Sequence, residues 1–273
     1  MKPFSFLLEN FFTHKDFLPP ADQLPGTLFT PLHFVFATIL LLLVIGSAVY
    51  VAKHRRIIRP VFITLWITLV VLEVVIVTWE SVCARNPGFD LRTNLSLYPC
   101  SIFMYVMPFA IWGDGFWKKM ACGYVFTLGL LGSAINFFYP AIRLSEYSCI
   151  SFAGFHTYFY HGAMLFTFLV MLLSHYHSYH AEHWWDLFIP CTASLLVSIP
   201  ANIINYSPIH ADYMFFRGHF PLLMAWFPNA PDWVVTVVLY GLYIFIPALF
   251  YLPSYLSHLR HKKLAATSGC TAN

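Results

Sequence analysis

The stretch PLHFVFATILLLLVIGSAVYVA, residues Pro31 to Ala52, contains the unbroken run Ile39-Leu40-Leu41-Leu42-Leu43-Val44-Ile45 and no Asp, Glu, Lys or Arg. Wound as a helix at about 1.5 Å per residue, it covers the roughly 30 Å hydrocarbon core of a bilayer. Working outward, comparable apolar windows recur at Pro60–Glu80, Leu97–Trp112, Trp117–Phe138, Gly154–Ser174, Leu187–Tyr206 and Asp232–Ser254. Charged or turn-forming residues part them at His54-Arg55-Arg56, Arg85-Asn86-Pro87-Gly88, Gly113-Asp114-Gly115 and Pro228-Asn229-Ala230-Pro231. The pattern predicts an all-α, polytopic membrane bundle of about seven transmembrane helices.

Composition agrees. Of 273 residues, 59% are apolar and only 10% are charged, and the mean hydropathy is +0.67. A soluble chain carries roughly 25% charged residues, so there are too few here to solvate a surface. Soluble enzymes, disordered chains and nucleic-acid binders are thereby excluded. Fifteen Lys and Arg against twelve Asp and Glu give a net +3, too little to imply a polyanionic partner.

Positive charge sets the expected orientation. The first loop holds Lys53, Arg55, Arg56 and Arg59 without an acid, and the same side receives Lys118, Lys119, Arg260, Lys262 and Lys263. On the other side Lys2, Lys15, Arg85, Arg92, Arg143 and Arg217 are interspersed with acids. The N-terminus is therefore expected outside or in a lumen and the C-terminus in the cytosol. Residues 1–30 read as an uncleaved interfacial segment, 31–256 as the helical domain and 257–273 as a basic, disordered tail. Phe4, Leu7, Leu8, Phe11 and Phe12 fall at helical spacing, which suits either the headgroup layer or a packing face.

The six cysteines show no C-x-x-C pair and no zinc spacing. Cys122 and Cys191 read as small buried hydrophobes. Cys83 and Cys149 both fall in outward loops, which leaves a disulfide open. Cys100 differs, because Asn94-Leu95-Ser96-Leu97-Tyr98-Pro99-Cys100 opens the third window. Proline suits a first helical turn, and Ser96 or Asn94 can cap it. Unpaired N–H groups there favour a thiolate. Local physics leaves Cys100 between a reactive thiol and a structural one. His161 sits inside the fifth window, where an imidazole needs a partner and is a functional candidate; a tie between two helices is the competing reading. His156, nearer the interface, reads as solvated or backbone-bonded.

Depth couples these residues. Cys100 and His161 each lie roughly 7–10 Å inside the outer boundary at about 1.5 Å per residue. Asn136, Asn202, Asn205 and Glu80 reach the same level from neighbouring windows. A second histidine-rich stretch, His175 to His183, lacks the separate boxes of membrane di-iron oxidases and reads as a solvated loop. The seventh window has no lysine for a retinal Schiff base. Ile111-Trp112-Gly113-Asp114 and Ile246-Pro247-Ala248-Leu249-Phe250 do not match the receptor signatures Asp-Arg-Tyr and Asn-Pro-x-x-Tyr.

At Leu95-Ser-Leu-Tyr-Pro-Cys100, Ala134-Ile-Asn-Phe-Phe-Tyr-Pro140, Tyr160-His-Gly162 and Ala211-Asp-Tyr-Met-Phe-Phe216 the chain resembles the YwaF-type integral membrane proteins, the group that includes transmembrane protein 164. The resemblance implies an intramembrane acyltransferase whose cysteine and histidine map to Cys100 and His161. Bacterial members often carry histidine two residues before the cysteine, where this chain has Tyr98. The implied partners are membrane phospholipids and lysophospholipids, with no cofactor and no metal. In the implied chemistry His161 takes the Cys100 proton, the thiolate attacks a phospholipid ester, and a lysolipid hydroxyl resolves the thioester. Asn136, Asn202, Tyr98 and His156 are the candidates for holding substrate or oxyanion. A lipid hydrolase using the same pair and a non-enzymatic transporter or receptor are the alternatives.

Overall fold

The computed structural model describes residues 8–89, 96–98, 100–177 and 221–268, together with 5, 196, 199, 203 and 213. The described residues form helices and no strands: α1 Pro31–Lys53, α2 Arg55–Cys83, α3 Ile102–Trp112, α4 Gly115–Phe138, α5 Ala141–Leu144, α6 Phe152–Leu173, α7 Pro221–Trp226 and α8 Asp232–Ser268. Four of them, α1, α2, α4 and α6, are long and apolar enough to cross a membrane. The expected windows at Pro31, Trp117 and Gly154 match α1, α4 and α6 to within two residues, whereas the Pro60 window lies inside a longer α2. The Leu187–Tyr206 window lies almost wholly outside the described residues.

Two windows differ from expectation. The third shrinks to the 11 residues of α3, about 16 Å at the helical rise and half a bilayer core. Its first residues are spent on a turn instead, with Ile102 N–H bonded to Tyr98 O and Phe103 N–H to Cys100 O. The seventh is the start of a helix that continues to Ser268, so the stretch 257–268 is helical where sequence leads one to expect disorder.

Caps and partners explain the local structure. Thr30 accepts the His33 N–H at the start of α1, with Pro31 in the first turn, where its missing N–H costs nothing. Ser151 accepts the Gly154 N–H and starts α6. Pro108 inside α3 has no N–H for the Met104 carbonyl, and Trp66 of α2 supplies one through Nε1 at 3.0 Å. That bond pins α3 to α2. Val125–Gly129 interrupts α4 as a π-helical turn.

α6 is the hub: it packs on α1, α2 and α4. Phe62, Leu69, Phe103, Met107, Tyr124, Met164 and Val170 fill the main core around it. α1 in contrast leaves Phe34, Ile39, Leu42 and Leu43 exposed. A face this apolar suits contact with lipid.

The N-terminal segment straps one end of the bundle. Phe152 N–H bonds to Phe11 O, Cys149 N–H to Gly26 O, and Leu28 N–H to Leu144 O. Trp79 Nε1 donates to Phe12 O, Arg85 N–H donates to the Asp16 carboxylate, and Lys15 pairs with Glu146. Gly26 sits at φ +81°, and a Cβ there would lie 2.7 Å from Ser148 Oγ; only glycine takes both the conformation and the space. Phe11 and Phe12 meet Phe152, Leu8 and Phe12 stay exposed, and Phe4 and Leu7 lie outside the described residues.

Candidate functional site

α2, α3 and α6 meet around a carboxylate. Glu73 lies mid-way along α2 with its side chain 14% exposed. Ser96 Oγ donates to Glu73 Oε1 at 2.5 Å, and His156 Nε2 of α6 stands 3.3 Å from Oε2. This second contact is at ion-pair distance and is not a hydrogen bond, and Nε2 has no hydrogen-bond partner among the described residues. An acid in an apolar window is costly unless paired, and Ser96 and His156 are its partners.

The turn before α3 brings in the thiol. Cys100 sits at that turn, close enough to Glu73 for the carboxylate charge to act on it. Tyr160 of α6 donates its hydroxyl to Ser101 O at 3.4 Å, so α6 is tied to the residue after the cysteine. The Tyr160 ring lies 5.6 Å from that of His156 and 6.3 Å from that of His161. Tyr98 packs on Tyr213 with ring centroids 5.3 Å apart.

His161 is held by its own helix. Nδ1 is 2.7 Å from the Thr157 carbonyl. That oxygen can only accept, so the partner assigns the neutral ring's proton to Nδ1 and its lone pair to Nε2. Nε2 is buried and has no hydrogen-bond partner among the described residues. It is therefore not bonded to Cys100 Sγ in this state. Catalytic contacts are often long before substrate binds.

Glu73 thus has His156 in contact and Cys100 nearby where α2, α6 and the turn before α3 meet; His161 lies five residues beyond His156 on α6, and Tyr98 packs on Tyr213. His156 departs from the expected solvated role: it is buried, because Glu73 gives its ring a charged neighbour. Asn136 donates Nδ2 to Gly132 O, one turn back in its own helix, which satisfies that amide hydrogen locally. Asn202 and Asn205 lie outside the described residues. Glu80 is taken up by an ion pair with Arg143. Cys83 and Cys149 are both free, and burial pushes the Cys149 thiol up to about 11, away from reactivity.

Glu73 is the residue that sequence reading passed over. The signal was present: it is the one acid in the interior of the Pro60–Glu80 window. Among the described residues no three His, Cys, Asp or Glu side chains converge to hold a metal ion; of the histidine-rich stretch, residues 178–183 fall outside them.

No curated protein and no solved structure matches the chain. The TMEM164 family model matches residues 28–252, from just before α1 well into α8, and the chain belongs to the TMEM164 family.

Proposed function

We propose that this protein is an intramembrane phospholipid acyltransferase that moves a fatty acyl chain to a lysolipid acceptor through a thioester on Cys100. The observation that carries the reading is the wiring of His161, whose Nδ1 is committed to Thr157 O while Nε2 is buried with no hydrogen-bond partner among the described residues. A free lone pair in a dry site is what a general base for a thiol requires. The resemblance read from the sequence implies the same chemistry, and the chain's membership of the TMEM164 family fits that resemblance.

In this reading the chain is a multi-pass bundle of seven helices with its N-terminus outside or lumenal. α3 covers about half a bilayer core, so Cys100, in the turn before it, is recessed from the outer boundary and the substrate ester reaches it sideways between helices. His161 takes the thiol proton, Sγ attacks the ester carbonyl, and an acceptor hydroxyl later resolves the thioester. Apolar surroundings keep water from the thioester and favour transfer over hydrolysis.

The test is turnover of a phospholipid with a labelled acyl chain by the purified protein, with and without lysolipid. Label moving to the lysolipid, and an acyl mass on Cys100, are the expected results. Cys100→Ala and His161→Ala each lower the rate by about 10²-fold or more. Label appearing only as free fatty acid makes the protein a hydrolase with the same pair. Full turnover in both variants, or no acyl adduct and no turnover in the wild type, overturns the proposal.

A further inference from the structure

The site holds two buried imidazoles, and their partners wire them in opposite senses. His161 presents Nδ1 to a backbone carbonyl, which leaves Nε2 as an acceptor. His156 presents Nε2 to a carboxylate, Glu73 Oε2, at 3.3 Å. The contact is ionic and not a hydrogen bond, and the carboxylate's negative charge favours a proton on the ring nitrogen that faces it. When both ring nitrogens are protonated, the ring and Glu73 make an ion pair whose charges cancel in a low-dielectric site. Ser96 satisfies the other carboxylate oxygen at 2.5 Å and fixes its direction.

We infer that the two histidines divide the proton work, His161 acting as the base toward Cys100 and His156, positioned by Glu73, as the acid that protonates the departing lysolipid oxygen. The inference rests on the acyl-transfer reading above. Environments that set two titratable groups apart are what separates acid from base in one site.

Each step balances. His161 Nε2 takes the thiol proton as Sγ bonds to the acyl carbon. As the tetrahedral adduct collapses, the acyl C–O bond breaks and His156 gives its second proton to the lysolipid oxygen while keeping the proton that faces Glu73. In the second half the acceptor hydroxyl gives its proton to His156 and its oxygen bonds to the acyl carbon. The C–S bond then breaks, and His161 returns its proton to sulfur. Both rings end as they began. Glu73 touches no reacting atom and is a positioning residue.

Leaving groups test this. A lysolipid oxygen is strongly basic and needs a proton to depart, whereas the nitrophenolate of p-nitrophenyl palmitate departs without one. The rates to compare are acyl transfer from a labelled phosphatidylcholine and the initial burst of nitrophenolate, both on full-length protein in lipid nanodiscs. In Glu73→Gln and His156→Gln the phospholipid-to-nitrophenyl rate ratio falls by about 10²-fold or more, and Glu73→Asp recovers part of it. In His161→Ala both rates fall together, because each substrate needs the thiolate. An unchanged ratio in Glu73→Gln and His156→Gln overturns the division of labour, including a parallel loss of both activities. If neither variant folds, Ser96→Ala carries the test: its ratio falls severalfold, and a ratio equal to wild type overturns the inference. Wild-type turnover that ignores Cys100→Ala sinks the acyl-transfer reading instead, so the two failures are distinct.

Discussion

Replacing Gly154 with alanine presses the first turn of α6 against backbone that cannot rotate away. A Cβ at this position would stand 2.2 Å from Ser148 O, 2.9 Å from Cys149 Cα and 3.0 Å from the Cys149 carbonyl carbon. Ordinary carbon contacts begin near 3.5 Å, so the helix start and the 148–149 turn must part by roughly 1 Å. Overpacking of this kind costs about 1–3 kcal/mol, which at about 2–4 °C per kcal/mol lowers Tm by several degrees. His156 follows two residues later, so its 3.3 Å approach to Glu73 moves with the helix start. A shift of about 1 Å in a catalytic constellation can cost 10²-fold in rate. Thermal unfolding in detergent and phospholipid turnover read the two effects separately. Gly132→Ala is the control, since among the described residues its Cβ would meet only the flexible Met164 Cε, at 3.5 Å. If Gly154→Ala matches Gly132→Ala in both Tm and rate, the packing argument and the placement of His156 are wrong.

Two predictions concern the strapped end of the bundle. With the Cys149 thiol pushed up to about 11 by burial, roughly one molecule in 10⁴ presents its thiolate at neutral pH. Maleimide therefore labels the part-exposed Cys83 well before Cys149 in folded protein, as peptide mass mapping would show; equal labelling, or a linked Cys83–Cys149 peptide, contradicts this. The backbone N–H of Arg85 holds the Asp16 carboxyl below its ordinary value. A carboxyl depressed in the folded state contributes stability above its unfolded pKa and loses it as pH falls through the folded one. Asp16→Asn should thus speed hydrogen exchange in the 8–30 strap at neutral pH, and the gap to wild type should close below about pH 4. Identical exchange at neutral pH, or a gap that persists in acid, refutes it.

The long windows were legible because partition into a bilayer depends on composition over about 20 residues, a local property. α1 and α6 are accordingly found within a residue or two of where hydropathy puts them. α3 is shorter than its window because the Tyr98–Ser101 backbone closes a turn there, which apolarity does not reveal. Glu73 was visible as an acid among hydrophobes, but its partner was not: His156 is 83 positions away, and only the packing of α2 on α6 brings them together.

Sequence alone determined the class of molecule and its apolar helices, since each follows from residue type and spacing along one segment, and the family resemblance singled out the cysteine and the imidazole worth testing. The tertiary structure decided which histidine faces a carboxylate and which faces a carbonyl. One residue of helix turns a side chain by about 100°, so such pairings depend on the register of α2, α3 and α6 against one another. No single helix contains that information.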